Sequence, residues 1–266
     1  MNRPVVLAIG GHDPTGGAGI QADIEAITAL GGYPITLPTA LTVQSTKRVH
    51  HFEPTPTHYL EEQATLLLEE FPVAAIKIGM VGSTASCHTL QQILQPHREI
   101  PLILDPVLAG GGGGSLSGTS LAQQVRQTLL PLSTLATPNR SELQQLVPEE
   151  EQDIERCNRL FQEGSQALLV TGTDTPSANE PTDQVHHTLF QPTESTPFQV
   201  ARLPHHYHGS GCTLASAIAT QCAFGKNIKE AVSAGLTYTQ QTLLQAIHPT
   251  KGQHLPNRFC HWETTS

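Results

Sequence analysis

No run of about 18 apolar residues occurs in this chain, so no membrane-spanning helix is expected. No Cys-x-x-Cys pair occurs either. The five cysteines, Cys87, Cys157, Cys212, Cys222 and Cys260, are odd in number and scattered, which supports neither a disulfide framework nor a zinc ribbon. A reduced, cytoplasmic protein is the expectation. Basic residues are scarce: 14 Lys and Arg stand against 23 Asp and Glu, a net charge of −9 with histidine neutral. That balance argues against nucleic acid or an anionic membrane surface as the main partner. No Gly-X-Y period accompanies the 22 glycines and 20 prolines, which excludes collagen. The apolar run at residues 5–9 is too short for a signal-peptide core and leads into a glycine-rich turn instead of a cleavage site. With no repeat and no linker, residues 1–266 are expected to form one domain, long enough to bury a core without staples.

What is present is an alternation of short β-rich apolar runs with amphipathic stretches. Strands are expected at residues 5–9, 35–41, 74–78, 102–104, 135–137 and 167–170. Pro38 marks an edge or irregular place in the second. Helices are expected at 17–30, with Ile20, Ile24, Ile27 and Leu30 inward, and at 57–70, with Thr57 as cap and Leu60, Ala64, Leu67 and Leu68 inward. Others follow: from Ser83 to Leu94, then 119–130, 141–146, about 149–162, 211–224 and about 228–246. The acidic run Glu149-Glu150-Glu151 reads as first-turn carboxylates favouring a helix dipole. Residues 172–197 are turn-rich, and 184–191 with 198–203 read as an antiparallel hairpin at the sheet edge. The tail after His248 reads as irregular. This β-α rhythm predicts a mostly parallel sheet with helices on both faces, whose ligands sit beyond the carboxyl ends of the strands.

The residues suited to chemistry lie just after those strands. His208-Gly209-Ser210-Gly211-Cys212-Thr213 opens an apolar helix. It reads either as an anion hole, with glycines turning amides toward one point at a positive helix end, or as a glycine turn beside a small buried cysteine. In the first reading Cys212 lies where a thiolate is stabilised, as base or hydrogen-bond donor. The run from Gly10 to Gly19 follows the first strand, but it lacks the Gly-Lys-Ser/Thr of a Walker A loop, and Asp13-Pro14 interrupts a dinucleotide turn. Asp23, one turn further, reads on its own as solvent-facing. Asp105 ends a strand. Asn139 and Glu142 read as Mg²⁺ holders through water or as a helix cap, and the two are compatible. Lys77, inside an apolar strand, needs a partner. The pairs His186-His187 and His205-His206 lack a completing ligand at a familiar spacing.

The segments AIGGHDPTGGAGIQADIEAITALGGY, TALTVQST, KIGM, LDPV, TPNRSE and HGSGCTLASAIA, in this order, resemble the hydroxymethylpyrimidine/phosphomethylpyrimidine kinases of thiamine biosynthesis, within the ribokinase-like superfamily. The resemblance spans about residues 5–245, and GGAGIQAD and GSGCT are its most specific pieces. It implies a ribokinase-like three-layer α/β/α sandwich, ATP and Mg²⁺ as cofactors, a small-molecule pyrimidine substrate, and a homodimer. It implies phosphorylation of the pyrimidine hydroxymethyl group and then of the monophosphate. The neighbouring activities are a monophosphate-only or pyridoxal-type kinase, and a weak pyrimidine-binding homologue. Gly11, Asp23, Gln44 and Met80 match the pyrimidine pocket, with Gln44 favouring pyrimidine over pyridoxal. Gly209, Gly211 and Cys212 match the catalytic anion hole. Asn139, Glu142, Thr171 and Ser210 fall on the nucleotide side, with Asp105 and Glu142 toward the metal. The chain departs from the family at Thr171-Gly172-Thr173-Asp174 and in the five-glycine run at 110–114, where nucleotide phosphates and a covering loop belong.

Overall fold

The computed structural model describes residues 3–108, 119–172, 183–249 and 251–262. The five-glycine run, Thr173 and Asp174 lie outside them. Among the described residues the elements run β1 (Val5–His12), α1 (Gly19–Ala29), β2 (Tyr33–Gln44), β3 (Val49–Pro54), α2 (Thr57–Glu70), β4 (Val73–Ile78), α3 (Thr84–Leu94), β5 (Leu102–Leu104), α4 (Thr119–Thr128), β6 (Leu135–Ala136), α5 (Arg140–Leu146), α6 (Asp153–Gln162), β7 (Leu168–Val170), β8 (Gln184–Phe190), β9 (Ser195–Ala201), α7 (Ser210–Ala223) and α8 (Ile228–Leu244). They form a nine-stranded sheet ordered β3-β2-β1-β4-β5-β6-β7-β8-β9. From β2 to β7 the neighbours are parallel, and β3, β8 and β9 add antiparallel edges.

Alternation along the strands builds two cores. Leu7 and Ile9 of β1, with Ile76, Ile78, Leu102 and Leu104, meet Leu60, Leu90, Val125, Leu143 and Leu160 from α2 to α6. Val6 and Ala8, with Ala75, Ile103 and Leu135, meet Ile27, Leu214, Ile218 and Val232 from α1, α7 and α8. Burial on both faces is why these strands read as continuous apolar runs.

Several boundaries differ from the sequence expectations for physical reasons. Strand β3 was not anticipated: its side chains are all at least partly exposed, so VHHFEP carries no apolar period. Pro38 lies where β2 bulges, Thr39 being the extra residue opposite Gly10 and Gly11 of β1, and β3 begins to pair with β2 only at Ala40, so no ladder bond to β3 is lost there. Thr57 is the first helical residue and not the cap, which is Pro56. The acidic run precedes α6 instead of opening it, and Glu149 binds Arg126 at 2.7 Å. Strand β9 starts three residues before the expected 198 and takes in Pro197, tolerated because the strand is an edge. In α1 the buried stripe is Ile20, Asp23 and Ile27, while Ile24 is exposed. No helix among the described residues is long and apolar enough to cross a membrane.

Candidate active site

The connections from β1 lead through α1 to β2 on one side, while β4 pairs on the other. Such a switch opens a crevice at the carboxyl ends of the strands. A cavity there is lined by Gly11, Gln44, Lys77, Met80, His208 and Cys212, among others. Three of the residues expected around a pyrimidine, Gly11, Gln44 and Met80, therefore line one cavity with Cys212. Gly11 is a close approach: a Cβ there would lie 3.0 Å from the Met80 sulfur.

Asp23 departs from both expectations. It is neither solvent-facing nor among the residues that line that cavity. Its fully buried carboxylate accepts from Lys77 Nζ at 2.8 and 2.9 Å and from Ser216 Oγ at 2.7 Å. The partner that Lys77 needed is thus Asp23. Burial disfavours the Lys77 ammonium, but the charges of Asp23 and Asp105 outweigh it and hold its pKa above the ordinary lysine value. Asp105, just past β5, is buried too. Burial pushes its carboxyl up, Lys77 opposes this, and Asp23 adds to it.

A second cavity is lined by Thr171, Ser210 and Gly211, together with Arg202, Tyr207 and Thr239. Ser210 and Gly211 line this cavity and Cys212 lines the first, so the opening turn of α7 is the wall they share. Gly209 caps that turn in the left-handed conformation, φ +86°. The first intrahelical bond runs from Thr213 N to Gly209 O at 3.0 Å. Helix geometry therefore leaves the amides of Ser210, Gly211 and Cys212 without intrahelical acceptors, at the positive end of the helix. The glycine turn beside a half-buried cysteine is present, and the amides without intrahelical acceptors are the feature that the anion-hole reading requires.

The thiolate expectation for Cys212 is corrected. Cys212 is half-buried by area yet closely surrounded by protein, and desolvation pushes its thiol up to about 11. Lys77 and the Gly19 amide pull the other way without offsetting this. Near neutral pH the group is a thiol.

Asn139 and Glu142 form a capping box on α5: Glu142 N donates to Asn139 Oδ1 at 2.8 Å, and Asn139 N donates to Glu142 Oε2 at 3.0 Å. Neither lines the two cavities, although Asn139 bridges to Thr171, which does. Among the described residues no group of three or more His, Cys, Asp or Glu could hold a metal ion, the histidine pairs included. His205 instead stacks on His254 with ring centroids 4.0 Å apart.

Sequence reading missed the Asp13–His208 pair. Asp13 Oδ2 lies 2.8 Å from His208 Nε2 and also accepts Ala18 N at 2.8 Å, while Oδ1 accepts Thr15 N at 2.8 Å. Burial raises the Asp13 pKa, but the bonds to His208 and Thr15 outweigh it, and the net shift is downward. Both residues stand inside the glycine motifs, which is the only signal either carries.

Two outcomes follow from this geometry. Asp23→Ala strands the Lys77 charge in the core and lowers the unfolding free energy by about 3–5 kcal/mol, and adding Lys77→Met recovers most of that loss. Urea unfolding measures both, and a loss under about 1 kcal/mol would mean the pair is not truly desolvated. Alkylation of Cys212 by iodoacetamide, followed on its own peptide by mass spectrometry, is slow at neutral pH and climbs toward about pH 11. A plateau already reached near pH 7 would restore the resting thiolate.

The family model described as phosphomethylpyrimidine kinase matches residues 13–257. A hydroxymethylpyrimidine/phosphomethylpyrimidine kinase of Staphylococcus aureus (strain MSSA476) is 29% identical over 98% of this chain and 96% of its own. A thiamine biosynthesis bifunctional protein of Geobacter sulfurreducens is 33% identical over 89% of this chain, which spans 48% of that protein. The solved phosphomethylpyrimidine kinase of Clostridium difficile 630 superposes with a TM-score of 0.77 at 28% identity, covering 91% of this chain and 100% of that one. The ADP complex of Bacillus subtilis pyridoxal kinase superposes at 0.86, covering 98% and 99%, but at 23% identity it speaks for the ribokinase-like fold alone. With the fold, the shared α7 wall and these matches in agreement, the chain belongs to the phosphomethylpyrimidine kinase family and is a phosphotransferase.

Proposed function

We propose that this chain transfers the terminal phosphoryl group of ATP to 4-amino-5-hydroxymethyl-2-methylpyrimidine, and then to the resulting monophosphate. The observation that carries the proposal is the shared wall: one turn of α7 presents Ser210 and Gly211 to one cavity and Cys212 to the other. Amides at that wall suit the charge of a phosphoryl group in passage between two ligands. In this reading the pyrimidine occupies the cavity of Gly11, Gln44 and Met80. The Gln44 amide supplies one donor group and one acceptor group, matching an aminopyrimidine edge. The nucleotide occupies the cavity of Thr171, Ser210 and Gly211.

Asp105 and Glu142 supply carboxylates beyond the ends of neighbouring strands β5 and β6, and among the described residues they belong to no group of three or more His, Cys, Asp or Glu. That donor set fits Mg²⁺, which is held by one or two carboxylates together with substrate phosphates and water. When bound, the ion neutralises phosphate charge. The residues of the chain hold and orient.

The thiol form of Cys212 is compatible with both transfers. In a loose transition state the alcohol proton leaves late, so a strong resting base is not required. The second acceptor is a phosphate, largely ionised at neutral pH, and has no alcohol proton to lose. Cys212 therefore serves the first transfer, as a hydrogen-bonding group beside the hydroxymethyl, more than the second. Exposed Leu41 and Val43 on β2, beside the edge strand β3, support a homodimer, and the odd number of scattered cysteines, with no Cys-x-x-Cys pair, supports a reducing, cytoplasmic setting.

The test is ADP release with Mg–ATP, offering the hydroxymethylpyrimidine, its monophosphate and pyridoxal in parallel. Turnover of the first two and little of the third is expected. Cys212→Ala should slow the alcohol reaction by about 10-fold or more and the monophosphate reaction much less. Turnover of pyridoxal in preference to both pyrimidines would overturn the substrate assignment. Binding of the pyrimidine without turnover would leave a pocket that has lost its chemistry.

A further inference from the structure

Arg258 lies in the C-terminal tail, far in sequence from either glycine motif, and its side chain is buried. Its fork grips both motifs. Nε donates to Thr213 Oγ1 at 3.0 Å, inside the first turn of α7. Nη1 donates to Gly16 O at 3.4 Å and to Glu25 Oε2 at 2.9 Å, and Nη2 donates to Gly17 O. Thr213 Oγ1 in turn donates to Gly209 O at 2.8 Å. One guanidinium therefore ties the turn after β1 to the turn before α7 where their backbones pass closest. A Cβ added at Gly209 would overlap the Gly17 carbonyl.

The tail that carries Arg258 is itself fixed. Tyr238 Oη donates to the Arg258 carbonyl at 2.8 Å, Asn257 N donates to Thr242 O at 3.0 Å, and His208 N donates to His254 O at 2.9 Å. Arg258 lines neither cavity, so it touches no ligand in the reading above. Apart from the bond to Glu25, its donors end on carbonyl and hydroxyl oxygens of the two turns. The ion pair with Glu25, whose side chain is partly exposed to solvent, adds little to net stability. A planar fork with fixed donor directions is instead well suited to holding a geometry, and lysine cannot copy it.

We propose that Arg258 is a positioning residue for phosphoryl transfer, setting the spacing of the Gly16–Gly17 turn against the Gly209–Thr213 turn and hence the aim of the amides between the cavities. This deepens the kinase reading and rests on it. Misplacing reacting groups by about 1 Å costs on the order of 10²-fold in rate. Arg258→Ala and Arg258→Lys are accordingly expected to lower kcat by about 10- to 100-fold, with KM for the pyrimidine changed less than about threefold. Guanidinium at tens of millimolar, far below denaturing concentration, should restore about 10-fold of the Arg258→Ala loss, and methylammonium should not.

Amide hydrogen exchange on the ligand-free proteins supplies a readout that needs no turnover. Exchange at residues 16–19 and 209–213 should quicken in both variants, while β1 and β4 keep the wild-type rate. If Arg258→Ala does not fold, Arg258→Lys carries both measurements. An unchanged kcat overturns the proposal. So does a loss that follows global unfolding, is not restored by guanidinium, and leaves the two turns exchanging like the core. If the wild type turns over no pyrimidine, the kinase reading fails by itself, and quickened exchange confined to the two turns still upholds the clamp.

Discussion

Two backbone turns pass so closely in this fold that neither can carry a side chain, and the rest of the site is arranged around their contact. Gly17 and Gly209 meet with the carbonyl of one against the α-carbon of the other, and a Cβ on Gly17 would run into the His208 ring. Gly209 adopts φ +86°, which an L-residue with a side chain rarely tolerates. The contact is held from one side by the Asp13–His208 bond and from the other by Arg258. Its consequence is the placement of the first turn of α7, which lies between two cavities, with Ser210 and Gly211 on one and Cys212 on the other.

A cluster of buried charges lies close to that turn. Lys77 rises through the sheet to Asp23, a pair with no exposed surface, and Asp105 stands close enough to feel both. The same desolvation that makes this cluster costly to disturb raises the Cys212 thiol. A helix N-terminus alone would favour the thiolate. Here burial, with two carboxylates nearby, outweighs the pull of Lys77 and of the Gly19 amide.

Legibility in the sequence followed burial. The central strands were legible because both faces of the sheet are covered, so apolar residues run without interruption. The α5 cap was legible because Asn139 and Glu142 act over three residues. Strand β3 was not, since nothing buries it and no period results. Asp23 was misread as exposed because a carboxylate on a helix usually is, and only the lysine 54 positions away reverses that. His208 meets Asp13 across 195 positions and Arg258 meets Gly17 across 241, and no local pattern carries such pairings. The pocket residues Gly11, Gln44 and Met80 came from the family resemblance, not from spacing, and the fold brings them to one cavity with Cys212.

The central claim is that the α7 turn separates an acceptor site from a donor site. A crystal structure with hydroxymethylpyrimidine and a non-hydrolysable ATP analogue bound together tests it most directly. The account predicts the pyrimidine ring between Gln44 and Met80, and the terminal phosphate of the analogue within hydrogen-bonding distance of the Ser210, Gly211 and Cys212 amides. Both ligands in one cavity, or the terminal phosphate held away from that turn, would contradict it.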